Sequence, residues 1–189
     1  DPKLDEFLRR INEELLNKEI NPQSKLVVFS ESKETTNYLV DNLKKQGRTD
    51  VLEVNAANRN NLREVIKNNF DANIPREQYR SDYNIVISTE VLAEGVNLHR
   101  SNVIVNYDTP WNSTKLMQRI GRVNRIGSVA PRVYIFNFYP TSKVNDDIEL
   151  EKKAIMKLQA FHSALGEDSE IYSPDEETQS FGLFDKNVE

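Results

Sequence analysis

The chain has no cysteine among its 189 residues, so disulfides and thiolate-held metals are excluded. Its two histidines, His99 and His162, lie far apart in sequence, and a zinc site would need several carboxylates besides. No apolar run approaches the roughly 18 residues of a membrane span, and no signal peptide opens the chain. These absences predict a cytoplasmic protein with no membrane contact. Glycine is sparse, at six residues, and none falls in Phe29-Ser30-Glu31-Ser32, where a small-molecule Rossmann enzyme would place its glycine-rich first turn. Methionine is also missing from the first position, which is Asp1, and suggests a piece of something longer.

What is present suits one domain with tails. Apolar residues make up 38% of the chain, enough for a core at this length. The net charge of −5 conceals an asymmetry: residues 166–189 hold eight acids and the single base Lys186. That leaves 24 basic against 22 acidic residues over 1–165. Within the body, 109–145 carries Lys115, Arg119, Arg122, Arg125, Arg132 and Lys143 with no acid, a basic patch able to meet phosphates.

Periodicity organises the rest. Leu4, Phe7, Leu8, Ile11, Leu15 and Leu16 predict an amphipathic helix over 2–19, stopped by Asn21-Pro22. Continuous apolar runs predict buried parallel strands at 26–29, 51–54, 85–88, 102–107 and 132–139. Between them, helices are expected over 33–46, with Tyr38, Leu39 and Leu43 inward and Gly47 as the stop, over 59–70, and over 113–125. Residues 71–83 read as a loop, and a last helix is expected over 146–165. The alternation of strand and helix predicts an α/β fold with a mostly parallel sheet and helices on both faces. The expected divisions are 1–24 as a lead-in helix, 25–140 as the α/β lobe, 141–165 as a C-terminal helix and 166–189 as an acidic tail.

The stretch richest in chemistry is Gln118-Arg119-Ile120-Gly121-Arg122-Val123-Asn124-Arg125-Ile126-Gly127. At about 100° per residue, Leu116, Ile120 and Val123 form one stripe, Gln118, Arg122 and Arg125 fall opposite it, and Arg119 flanks it. Two guanidinium groups one turn apart, with no acid within the helix to pair with, suit phosphate oxygens. A solvated helix face is the plainer alternative. Glu90 and Glu94 read as solvated carboxylates, and His99 and Arg100 as loop surface.

This decapeptide resembles the last motif of superfamily 2 helicases, and its Gln start and Arg-Ile-Gly ending look most like the RapA and Swi/Snf-type group. Val27-Val28-Phe29-Ser30 and Ser88-Thr89-Glu90-Val91-Leu92-Ala93-Glu94-Gly95-Val96-Asn97-Leu98 resemble two earlier motifs of the second RecA-like lobe, in the right order. The resemblance covers about 1–140. It implies that Arg122 and Arg125 are arginine fingers, and that Gly95, Asn97 and Gln118 lie by the nucleotide. It further implies that Thr89, Ser30 and Arg63 lie by nucleic acid. Asn97 stands where DEAD-box members have an aspartate, and Asn60 replaces the glutamine of the element containing Arg63. The phosphate loop and magnesium-binding acids are absent, so the resemblance implies ATP and Mg²⁺ held mainly by an N-terminal RecA-like lobe of the same polypeptide. No metal ligand is expected here and no turnover by this lobe alone. Nucleic acid is the implied partner, with DNA favoured over RNA. The competing reading is a nucleic-acid-binding or protein-docking module that keeps the fold without using ATP.

Overall fold

The computed structural model describes residues 1–93, 95–108, 113–123, 129, 130 and 132–138. The expected C-terminal helix over 146–165 and the tail over 166–189 lie outside them, as do Glu94 and Arg125. Helix α1 (Pro2–Arg10) starts under an Asp1 cap, whose carboxylate accepts from the Lys3 and Leu4 backbone N–H groups, and Pro2 sits where a missing N–H costs nothing. The predicted single helix changes character at Ile11–Leu15, which winds as a π-helical turn while keeping Ile11 and Leu15 buried. Strand β1 (Leu26–Phe29) follows, then α2 (Lys33–Lys45), capped by Ser32. Gly47 closes α2 at φ +87°, with its N–H bonded to the Lys44 carbonyl and the Arg48 N–H to that of Leu43. That pairing is a Schellman stop and needs a left-handed residue.

Strand β2 (Val51–Val54), α3 (Arg63–Phe70), β3 (Ile85–Ser88), β4 (Val103–Asn106), α4 (Ser113–Val123) and β5 (Tyr134–Asn137) complete the fold. The five strands form one sheet in the order β2-β3-β1-β4-β5, and every adjacent pair is parallel. Successive strand residues face opposite layers. Leu26, Val28, Ile85, Ile87, Val103 and Val105 meet α1, its π-turn and α2. Val27, Phe29, Leu52, Val54, Val86 and Ile104 meet α3 and α4. The mostly parallel, doubly covered sheet expected from the apolar runs is what forms. Tyr38 is the exception on α2: expected inward, it is 40% exposed and bonds through its hydroxyl to the Asp1 carboxylate.

The register aligns the ends of the strands. Phe29 sits beside both Ser88 and Asn106, Ser88 beside Val54, and Asn106 beside Asn137. The residues that follow each strand therefore share one edge, where ligands of open parallel sheets bind.

Candidate functional site

Ser30 and Thr89 follow strand ends and lie on that carboxyl edge. Thr89 leaves β3 in extended conformation and precedes a short 3₁₀ turn, Glu90–Leu92. Its hydroxyl does not cap that turn, which leaves it half-buried at the edge without a capping role. Gly95 has φ +77°, and a Cβ placed there would meet nothing within 4 Å, so the position demands glycine for its backbone and leaves open space before it. Asn97 donates from Nδ2 to Asp71 Oδ2 at 3.3 Å.

Helix α4 is fastened to this loop. The Leu98 N–H donates to the Arg122 carbonyl at 2.8 Å. The Arg122 guanidinium turns the same way, with Nη1 3.4 Å from the Val96 carbonyl and Nε 3.5 Å from that of Gln118. Arg122 and Gln118 are both half-buried. Leu116, Ile120 and Val123 are buried as the helical stripe predicted. Asn97, Leu98 and Arg122 are thus linked where the segment leaving β3 meets the end of α4 and of α3, whereas Thr89 stays at the end of β3. Arg63 is exposed at the first turn of α3, on the connection leaving the outermost strand β2.

Sequence reasoning missed the role of Arg119. It is fully buried, pairs through Nη2 with Glu90, donates from Nη1 to Asn106 Oδ1 at 2.8 Å, and lies 5.0 Å from the Phe29 ring centroid. Glu90, expected in solvent, is instead the partner of a buried cation. Arg119 was visible as a flank of the apolar stripe; its acid lay 29 residues away, where helical spacing cannot reveal it. His99 and Arg100 are likewise buried rather than on the loop surface. Arg100 donates to Gln23, Asn68 and Arg80 and packs on Tyr79 at 4.1 Å, so its charge is hydrogen-bonded inside the fold.

Ser30, at the end of β1, is buried, and its hydroxyl donates to Asp108 Oδ2 at 2.5 Å. Lys3 donates to Oδ1 of the same carboxylate at 3.1 Å. Burial pushes the Asp108 carboxyl up, but the Ser30 hydrogen bond and the Lys3 ammonium outweigh it and hold the group below the usual carboxylate range. Among the described residues, no group of three or more His, Asp and Glu could hold a metal ion, and no helix is long and apolar enough to cross a membrane.

A parallel five-stranded sheet clad on both faces defines a RecA-like lobe. Residues 6–127 match the model of the helicase conserved C-terminal domain, and the chain belongs to that family. The chain is 35% identical over 96 residues to the uncharacterized ATP-dependent helicase YqhH of Bacillus subtilis strain 168, covering 51% of this chain and 17% of that protein. It is 32% identical over 101 residues to the ATP-dependent RNA helicase FAL1 of Candida albicans, covering 53% of this chain and 23% of that one. The fold is similar to the crystal structure of the C-terminal part of the Fun30 ATPase domain, with a TM-score of 0.61 at 16% identity, covering 80% of this chain and 44% of that one. The chain spans about a fifth of the length of these two curated relatives.

Proposed function

We propose that this chain is the second lobe of an ATP-dependent helicase or translocase of the RapA and Swi/Snf-like kind. In this reading it faces an N-terminal RecA-like lobe across an ATP site and offers part of a nucleic-acid track. The observation that carries the proposal is the division of labour on α4. Arg119 is buried and committed to Glu90 and Asn106, whereas the half-buried Arg122 directs its guanidinium at the Val96 carbonyl in the Gly95–Asn97 loop.

The residues at hand fit one wall of a triphosphate site. Gly95 leaves open backbone, and Arg122 brings a planar cation beside it, a shape suited to phosphate oxygens. Arg122 and Arg125 would hold the distal phosphate, with Gln118 and Asn97 alongside. In this reading Mg²⁺ is held by acids of the other lobe. When bound, the nucleotide supplies the phosphoryl group whose charge arginine fingers stabilise, an effect worth ~10³–10⁵ in rate. This chain's own part is to orient its guanidinium groups, and for Arg122 the Leu98–Arg122 backbone bond supports this by fixing α4 to the loop. Thr89 and Arg63 would meet phosphates of the track, with Ser30 behind them.

The sequence pattern favours a DNA track, whereas FAL1 is named an RNA helicase; both nucleic acids therefore belong in the test. ATP turnover by the full-length protein carrying this chain should rise at least ~10-fold on adding single-stranded RNA, single-stranded DNA or duplex DNA. The most effective of the three identifies the track. Turnover that none of them stimulates would favour the docking module.

A further inference from the structure

Three elements converge on Asp108. Beyond Lys3 on α1 and Ser30 at the end of β1, the Glu31 backbone N–H lies 3.4 Å from Oδ2, and Arg119 Nη1 lies 3.4 Å from the Asp108 carbonyl. The Ser30 hydroxyl proton is spent on the carboxylate, and Ser30 itself is buried. The group that reaches solvent here is therefore the Asp108 carboxylate, 34% exposed, two residues past the end of β4 and beside the end of β1. An anion on that edge repels the phosphates of any nucleic acid crossing it.

Lys3 answers this charge from a distant part of the chain. Its side chain is only 14% exposed, and its ammonium lies 4.2 Å from the Tyr107 ring centroid as well as 3.1 Å from Asp108. It is thus held by two partners rather than waving in solvent. The helix that carries it is seated by Leu4, Phe7 and Leu8 in the core and by the edge-on contact of Phe7 with Tyr107, centroids 5.3 Å apart. Among the described residues, the other side-chain charges near this end of α1 are acids: Asp1, bonded to Tyr38, and the exposed Asp5.

We propose that Lys3 is a counter-charge for nucleic-acid binding: α1 delivers it to the strand edge to neutralise Asp108, so that phosphates can approach Thr89. Asp108 is then a positioning residue that ties Ser30 to the connection leading into α4, and Lys3 cancels the electrostatic cost of having it there. This makes the seating of the lead-in helix a determinant of affinity. The inference rests on reading the edge as a nucleic-acid track.

The test uses the full-length protein carrying this chain, with fluorescein-labelled 12-nucleotide oligouridylate and oligothymidylate as probes. Lys3→Met should weaken binding about 3- to 10-fold at 50 mM salt, and less at 200 mM, where screening shortens the reach of one exposed charge. Asp108→Asn keeps an acceptor for Ser30 and removes the anion, so it should tighten binding about 3-fold. The double variant should return to within about twofold of wild type. A double variant as weak as Lys3→Met would make Lys3 a mere anchor of α1 and overturn the proposal. So would wild-type affinity in Lys3→Met. If Lys3→Met melts early, Asp108→Asn alone decides, since looser rather than tighter binding refutes the counter-charge. Should the unmodified protein bind neither probe, the nucleic-acid reading of the edge falls first, and this inference with it.

Discussion

Lys25 brings an ammonium group into the interior at the start of β1, with no solvent exposure, 2.6 Å from the Tyr83 carbonyl and 5.3 Å from the Phe70 ring centroid. Burial, and secondarily the nearby Arg100 charge, depress its pKa to about 8. The unfolded chain holds that proton up to its ordinary pKa near 10.5. Between these values the unfolded state binds more protons than the fold, so stability rises with pH across the window. Below about 8 the cost of the buried charge is fully present. Urea melts at pH 7.5, 8.5 and 9.5 should show wild type gaining on Lys25→Met by about 1 kcal/mol per pH unit, less than the ~1.4 kcal/mol of a whole proton. A constant difference between the two proteins would mean that Lys25 does not titrate there. No sequence signal announced this residue, nor His99, Arg100 and Arg119. Patterning assigns polar side chains to the outside, and each of these is inside only because polar groups from remote segments meet it.

At the level of elements, the legible parts are those whose pattern has a single physical solution. β1 and β3 form as expected, over 26–29 and 85–88, because central parallel strands are apolar on both faces. β5 is shorter than the expected 132–139, running 134–137 with every residue half-buried, as an edge strand allows. α3 begins at Arg63 rather than near 59, and the reason is asparagine. Asn55 Oδ1 accepts from the Ala57 N–H, Asn58 Oδ1 from the Asn55 N–H, and Asn58 Nδ2 donates to the Glu53 carbonyl, giving the backbone turns instead of helix. α4 depends on a contact that no periodicity shows. Removing the Arg119 side chain strips Glu90 and Asn106 of a shared cation beneath the helix. Breaking a buried pair costs about 3–5 kcal/mol, and since Glu90 keeps 30% exposure, about 2–4 kcal/mol is expected for Arg119→Ala. Chemical denaturation reads this directly. Arg119→Lys should recover only part of it, because one ammonium cannot span Glu90 and Asn106 as the planar fork does. A loss under 1 kcal/mol would show that α4 is seated by Leu116, Ile120 and Val123 alone.

For the whole molecule, the motif order along the chain was readable because the first two motifs begin on strands whose ends are in register. The placing of Ser30 and Thr89 at one edge thus follows from topology. The Asn97–Asp71 bond and the Lys3–Asp108 pair do not, being contacts between segments 26 and 105 residues apart. One wall of a cleft leaves most phosphate contacts unmade. The isolated 189-residue chain should therefore release no phosphate from ATP above a buffer control, with or without nucleic acid, in a continuous phosphate assay. Steady turnover by the pure chain would mean that it holds a complete site and needs no second lobe.

The decisive experiment concerns Arg122 and Arg125 in the full-length protein. Arg122 is half-buried, its side-chain contacts with the Val96 and Gln118 carbonyls are long, and the bond that fixes α4 to the loop uses its backbone. Arg122→Ala should therefore cost no more than about 1 kcal/mol of stability, the centre of the distribution for single substitutions. If the guanidinium stabilises the phosphoryl-transfer transition state, the same change should lower nucleic-acid-stimulated kcat at least ~10²-fold, near the low end of arginine-finger losses. Its effect on KM for ATP should be smaller, because the contact counts most where charge develops. Arg125→Ala is expected to match it in kcat. Arg122→Lys should rescue only partly, since an ammonium lacks the planar fork. Arg119→Ala serves as the contrast, with stability falling first and turnover following it. Thermal melts and steady-state kinetics on the same preparations separate the two behaviours. If both finger variants keep kcat within twofold of wild type and melt normally, these arginines form a solvated face, and a RecA-like module without ATP use becomes the better account of the chain.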